Sequence, residues 1–543
     1  MLFNSIEFVF FFFPATLAGF FLFGRRTAGM ALAWLIVSSI VFYAWWRPLN
    51  VLIIAPSIAI NYAIARTLVR LPADRRGAAW SNAVLALGIA FNVAFLGYFK
   101  YVNFLATVAN DVAGTNFVFE QVMLPLGISF ITFQKIAFLV DVHARRIEVF
   151  TLREYMLFVF FFPQLIAGPI VHYREMMPQF RAATCRFDRE HVAVGLTLFI
   201  FGLFKKVVLA DGIAARVSPI YAMAAAGEQV SLLPAWIAAF GFTLQIYFDF
   251  SGYSDMAMGL ARCFGVRLPA NFDSPLKARN IIDFWLRWHI TLTRFLTAYL
   301  YNPVALALTR RRMARGLAPL RPRKFDGGAF LHLLALPTLL TMLVSGVWHG
   351  AGYTFMLWGL LHGVYLVVNH AWRQAVVARM PDKARYERVM GPVGWVLTLL
   401  SVAVAMVLFR ADSVSAAAEL LQGMFGGNGV RLPPAIADAL ARATGGLPAW
   451  LGTSNELTGR GLVVGGAWVA ALLGLALAAP NSLQVLARYE PALLAGAAPG
   501  RGGVMLRTLQ WRPTAAWAAG LSVVAVIAVG RIGAKSEFLY WQF

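Results

Sequence analysis

Charge is scarce in this chain, and acid is scarcer than base. Only 13% of the 543 residues are Asp, Glu, Lys or Arg, and 47 basic residues outnumber 25 acidic ones. A soluble protein of this length carries about a quarter charged residues and divides into several domains. Cysteine is nearly absent. Cys185 and Cys263 stand in no metal or redox spacing, both in stretches read as cytoplasmic loops, so a disulfide framework and a catalytic thiol are set aside. There is no Gly-x-Ser-x-Gly, no P-loop and no Gly-x-Gly-x-x-Gly at a strand–helix junction, and the usual nucleophile and nucleotide routes lose their support. Internal repeats are also missing, and no pair of broken helices marks the halves of an inverted-repeat transporter.

What fills the chain is apolar. Hydrophobic residues make up 60% of it, and the mean hydropathy is +0.68. It reads as a single integral membrane domain over 1–543, all-α and polytopic. The net charge of +22 suggests nucleic acid at first sight, but its distribution argues against that. Basic residues gather in short segments between apolar runs, at Arg25-Arg26, Arg66 to Arg76, Arg310 to Lys324, Arg373 to Arg388 and Arg501 to Arg512. That is the pattern of cytoplasmic loops under the positive-inside rule, and no basic module is present to bind nucleic acid.

A span needs about 20 apolar residues. Twelve are expected, at 7–24, 28–46, 49–66, 82–99, 122–140, 191–210, 231–249, 330–348, 352–371, 392–409, 462–480 and 514–532, with Gly88, Gly97, Pro125 and Gly127 interrupting some of them. The first is read as a span with an outside N-terminus rather than a cleaved signal, because no basic residue precedes it and Arg25-Arg26 follow it. Two segments fit no simple span. The prolines and glycine of 155–171 suggest re-entry from the cytoplasmic side. In 281–303, a helical wheel puts Trp285, Trp288, Leu292, Phe295, Leu296 and Tyr299 on one face, with Arg287 and Arg294 together on the other. That suits an interfacial helix or one lining a wet cavity. With both counted as non-spanning, the basic loops fall on one side and 411–460 falls outside. The segment 461–543 then holds the last spans and a terminal aromatic motif.

The chemistry centres on histidine. None of the eight histidines lies three or four residues from another, so local metal chelation is not supported. His349 and His362 would stand about 20 Å apart on a continuous helix. His349, in Trp348-His349-Gly350, closes the apolar run from Phe330, where an ionisable group is costly without a partner or a role. His289 also follows a tryptophan. Packing or cross-helix hydrogen bonding is the competing reading for both. Asp249 and Asp255 lie in a mostly apolar stretch, where capping of helix breaks near Gly252 is the simpler reading. The runs Phe8 to Phe13 and Phe158 to Phe162 read as lipid or helix contacts.

Five motifs in order carry a resemblance. They are Leu124-Pro125-Leu126-Gly127-Ile128-Ser129-Phe130, Pro163-Gln164-Leu165-Ile166-Ala167-Gly168-Pro169, Tyr247-Phe248-Asp249-Phe250-Ser251-Gly252-Tyr253-Ser254-Asp255, Trp288-His289-Ile290-Thr291-Leu292-Thr293-Arg294-Phe295, and Ser345-Gly346-Val347-Trp348-His349-Gly350-Ala351-Gly352. Together they resemble the membrane-bound O-acyltransferase family, over roughly residues 90–410 and the extreme C-terminus. The match is closer to the bacterial branch that O-acetylates alginate and other polysaccharides.

The resemblance implies about twelve transmembrane helices, with re-entrant and interfacial helices, around a central funnel. It implies a multi-pass protein of the bacterial inner membrane that moves an acyl group, acetyl by branch, from a cytoplasmic thioester toward an extracytoplasmic polysaccharide. Acetyl-CoA is the implied donor substrate, with no bound cofactor and no metal. His349 matches the family's invariant histidine, a general base for an attacking hydroxyl, and His289 matches the second, which orients or polarises substrate. An apolar setting favours the neutral base form of such a histidine. Trp285, Trp288 and Trp348 are candidates to line the substrate site, and Asp249 and Asp255 to shape it. Arg287, Arg294 and the run Arg310-Arg311-Arg312 are candidates for coenzyme A phosphates, although topology alone explains the run. The ending Phe538-Leu539-Tyr540-Trp541-Gln542-Phe543 resembles a terminal motif of the branch, which makes Tyr540 a candidate acyl relay, with interface anchoring as its alternative. The implied partner is an extracytoplasmic serine-dependent acetyltransferase. D-alanyl transfer from a carrier-protein thioester is the alternative activity, and a transporter or channel without chemistry is the alternative class.

Overall fold

The computed structural model describes residues 1–72, 75–117, 122, 124–182, 185–320, 325–493, 509–533 and 539. The architecture is all-α. Among the described residues, eight helices are long and apolar enough to cross a membrane. They include Glu7–Gly24, Leu49–Arg70, Gly327–His349, Lys383–Arg410 and Gly459–Ala478. Four further expected spans fall on the helices Ala28–Ala44, Ile128–His143, Tyr353–Ala375 and Ala515–Val529. The expected span 122–140 becomes helical only at Ile128, after Gly127 at φ 68°. A side chain there would also press against the Leu165 carbonyl at 2.8 Å, so glycine is required twice over. Gly88, expected as an interruption, lies within an unbroken helix, Arg75–Leu96.

The chain forms two compact units, one of 1–204, 252–271 and the segment from Ser482, the other of 205–251 and 272–481. In the first, Leu152–Phe160 and Phe162–Leu165 are both too short to span, and Phe158 to Phe162 are buried. A capping box starts the first of these helices. The Thr151 hydroxyl accepts from the Glu154 amide at 3.2 Å, and the Glu154 carboxylate accepts from the Thr151 amide at 2.9 Å. The amides of Asn61 and Asn92 donate to each other at 3.2 and 2.6 Å, joining two membrane helices through polar groups.

The second unit holds the histidines of interest. Its 411–460 segment is structured, with helices Val414–Met424 and Pro434–Thr444 and a parallel strand pair, Val430–Leu432 against Leu451–Thr453. The Ser231 amide and hydroxyl both donate to Glu456 at 2.8 Å and tie this segment down.

Four expectations about local structure need correction. The helix Leu232–Cys263 runs unbroken through Gly252, so Asp249 and Asp255 cap no break there, and Cys263 ends a helix rather than sitting in a loop. The 281–303 segment is not one helix: Ile281–Arg287 ends at Trp288, and Ile290–Leu296 starts after His289. His349 and His362 do not share a helix, because Leu336–His349 ends at an extended Gly350 and Tyr353–Ala375 folds back.

Candidate active site

Glycine lets the helices Leu336–His349 and Tyr353–Ala375 pack closely. A Cβ on Gly346 would stand 2.2 Å from the Phe355 carbonyl, and one on Gly359 would stand 2.4 Å from the Met342 carbonyl. Such small-residue contacts let membrane helices approach backbone to backbone. Gly350 is needed for the same steric reason, since a side chain there would overlap the Phe355 ring at 2.1 Å. The result carries His349 onto an aromatic wall. Its ring meets Trp358 edge-on at 5.1 Å and Phe409 at 5.3 Å between centroids, and His349 is buried.

His289 reaches the His349 ring from the other broken segment. Its backbone is left-handed, φ 43° and ψ 52°, which no glycine relieves. Such a conformation costs about 1–3 kcal/mol in a non-glycine residue, so the surrounding packing holds it. Phe250 packs edge-on against the imidazole at 4.7 Å, and Trp348 lies at 6.2 Å. The rings of His289 and His349 stand 6.3 Å apart. His289 lies outside the spanning helices yet is fully buried, and burial drives its pKa down to about 3, which leaves it neutral at neutral pH.

A third histidine joins the cluster. His362 lies one turn beyond Trp358, their rings 4.9 Å apart, and accepts a long hydrogen bond from Trp285 Nε1 through Nδ1 at 3.4 Å. Phe284 stacks on it, and Tyr365 meets it edge-on. Sequence reasoning set His362 aside on helix geometry. The pair of glycines at 350 and 352 was the available signal that the helix turns back. Trp288 points to other partners, stacking on Phe284 and meeting Phe272 edge-on at 5.1 Å.

The remaining candidates separate. Arg287 pairs with Asp283 at 2.8 Å and also faces Asp273 at 4.0 Å. The break at His289 removes the common helix that would have placed Arg287 beside Arg294. Asp249 pairs with Lys206 at 2.6 Å, and Lys206 also bonds Asp211 at 2.8 Å. Lys206 was overlooked, although a lysine in an apolar run signals a paired or functional group. It lies in a π-helical turn, Lys205–Ala210, whose wider spacing brings residues five apart to one side. Asp255 accepts from the Ser482 hydroxyl at 2.6 Å within the first unit. Tyr540 lies outside the described residues. No group of three or more His, Cys, Asp or Glu able to hold a metal occurs among the described residues.

A cavity of 830 Å³ lies in the second unit, and one of its lining residues, Tyr365, is the ring that meets His362 edge-on. Asn280, Ile281, Tyr365, Asn369, Trp372 and Arg373 line part of it.

His289, His349 and His362 thus gather among aromatic rings beside helices of a membrane bundle. A profile of MBOAT, the membrane-bound O-acyltransferase family, matches residues 78–318. A peptidoglycan O-acetyltransferase of Helicobacter pylori is 37% identical over 462 residues, covering 80% of this chain and 81% of the relative. A probable alginate O-acetylase AlgI of Pseudomonas aeruginosa is 36% identical over 434 residues, covering 78% and 75%. A teichoic acid D-alanyltransferase of Streptococcus thermophilus is 26% identical over 249 residues, covering 46% and 57%. The chain belongs to the membrane-bound O-acyltransferase family. It is a multi-pass membrane acyltransferase.

Proposed function

We propose that this chain carries acetyl groups from cytoplasmic acetyl-CoA across the inner membrane to an extracytoplasmic polysaccharide, with His349 as general base. The observation that carries the reading is the 6.3 Å approach of His289 and His349 inside an aromatic chamber. An acceptor hydroxyl attacks the thioester carbonyl, and His349 takes the hydroxyl proton. Collapse of the tetrahedral intermediate expels the thiolate, which receives that proton, and the oxygen keeps the acetyl group. His289, neutral and clamped by Phe250 and Trp348, orients the acceptor. Placing reactants and base in this way supplies much of the rate in such reactions.

The 830 Å³ cavity suits the donor. Arg279 and Arg373 supply cationic heads, and Trp372, Tyr365 and Tyr386 supply flat faces. Arg287 and Arg294 remain as alternative phosphate contacts. On the outer side, Tyr540 accepts the acetyl group as an aryl ester and delivers it to a serine-dependent acetyltransferase that recognises the glycan. Polysaccharide acetylation is favoured over D-alanyl transfer because similarity to the acetylating relatives extends over most of the chain, whereas the D-alanylating relative matches less than half.

The test uses purified protein in lipid vesicles, offered radiolabelled acetyl-CoA and, separately, a D-alanyl carrier-protein thioester. Acetyl-CoA consumption with label on Tyr540 supports the proposal. Turnover of the D-alanyl thioester alone moves the chain to the alternative activity, and turnover of neither donor contradicts both choices of donor.

A further inference from the structure

We infer that the first unit carries a binding site for a phosphate-bearing anion, apart from any role in acyl transfer. A cavity of 500 Å³ opens there between helix ends, lined by Gln179, Arg186, Asp188, His191, Arg262 and Arg267, among others. Arg262 sits in the last turn of Leu232–Cys263 and is 2% exposed. Its nearest carboxylate contact is Glu190 at 3.9 Å, beyond hydrogen-bond length, and the Glu190 side chain is 56% exposed. The Arg262 Nε is buried and has no hydrogen-bond partner among the described residues. With one long contact to a half-exposed carboxylate and a buried Nε left over, this guanidinium has room for a closer counter-ion, because a buried charge that is incompletely paired costs free energy.

The protein groups around the cavity are already engaged. Asp188 spends one carboxylate oxygen on the backbone amides of Glu190 and His191, at 2.8 and 3.0 Å. Glu490 is bonded to Arg267 at 2.5 Å. Gln179 gives its amide to the Glu175 and Arg267 carbonyls and accepts from the Arg267 amide. Among the residues that line the cavity, three arginines stand against one carboxylate, Asp188, with Glu190 and Glu490 reaching Arg262 and Arg267 from outside it. Backbone geometry keeps the space open: Gly265 is at φ 78°, and a Cβ there would meet the His191 ring at 3.3 Å.

A fork of guanidinium donors at the end of a membrane helix matches phosphate. The positive-inside rule assigns this face to the cytoplasm, where basic pockets between helices take anionic lipid headgroups. A free phosphate ester has the same chemistry.

The test measures binding to the full-length protein in detergent by native mass spectrometry. Phosphatidylglycerol, phosphatidylcholine with the same acyl chains, and glycerol phosphate are the probes. We expect phosphatidylglycerol to bind in preference to phosphatidylcholine. Arg262→Gln and Arg186→Gln should each weaken this binding about tenfold, while Arg385→Gln, in a different basic loop, should not. Binding of glycerol phosphate with the same variant dependence assigns the site to a free phosphate ester, and lipid binding alone assigns it to a headgroup. If Arg262→Gln does not fold, the exposed Arg186→Gln decides. Equal binding by wild type and Arg186→Gln, or no preference for an anionic probe, overturns the inference.

Discussion

His289 and His349 face each other at 6.3 Å between ring centroids, each delivered by a helix that stops at that point. Hydrogen bonds of about 2.8 Å from the two rings can meet on one hydroxyl across such a gap. One break depends on a left-handed histidine and the other on Gly350, so the pairing is built by interrupting helices.

The first prediction concerns His289 and pH. Its folded pKa of about 3 lies below its ordinary 6.5. The unfolded chain therefore binds a proton below pH 6.5 that the folded chain refuses, and stability falls as pH drops through the window from 6.5 to 3. His289→Gln removes that contribution. Its melting temperature in detergent should fall less between pH 7.5 and 5 than the wild-type value does. An equal fall would show that His289 is solvated or charged in the folded protein.

Gly346 should tolerate no side chain. The nearest obstacle to a Cβ is the Phe355 backbone carbonyl at 2.2 Å, which cannot rotate away. Gly346→Val should separate the two helices, displace Trp358 from His349 and abolish polymer acetylation without touching an imidazole. Normal acetylation by a stably expressed Gly346→Val protein would contradict the close packing.

Lys206 and Asp249 form a buried pair, both side chains almost fully enclosed. Lys206→Met leaves Asp249 without its cation, and losing one partner of such a pair costs about 3–5 kcal/mol. Asp249→Asn should cost less, because Lys206 keeps Asp211 at 2.8 Å. Fluorescence-detected thermal melts should rank the two variants in that order. The reverse ranking would assign the stabilising contact elsewhere.

Tyr540→Phe removes a hydroxyl and keeps the ring. The relay predicts loss of polymer acetylation, whereas interface anchoring predicts near-normal levels. Mass spectrometry of the C-terminal peptide should find an acetyl adduct on Tyr540 in wild type and none in His349→Ala. A fully active Tyr540→Phe enzyme would remove the obligatory relay.

Much of this was legible in the sequence because the membrane imposes strong patterns. Apolar runs and basic loops mark helices whatever their packing, and the Trp-His-Gly motif drew attention to His349. The breaks were harder. A helical wheel over 281–303 assumes one axis, and nothing in the composition shows that His289 takes a left-handed backbone. His362 was lost to the same assumption of continuity. Lys206 falls within the expected span 191–210, and its partners Asp211 and Asp249 become visible only in three dimensions. Gly252 misled in the opposite direction. Glycine permits a break but does not compel one, and neighbouring packing keeps Leu232–Cys263 helical.

The most direct test of the account is single-turnover acetyl transfer by purified His349→Ala in vesicles, beside wild type, with radiolabelled acetyl-CoA. General-base assistance contributes about 10²–10⁴-fold. The variant should therefore bind acetyl-CoA with near wild-type affinity while its rate of acetyl transfer falls by at least about a hundredfold. Transfer at the wild-type rate by a folded His349→Ala protein would contradict the assignment of His349 as the base.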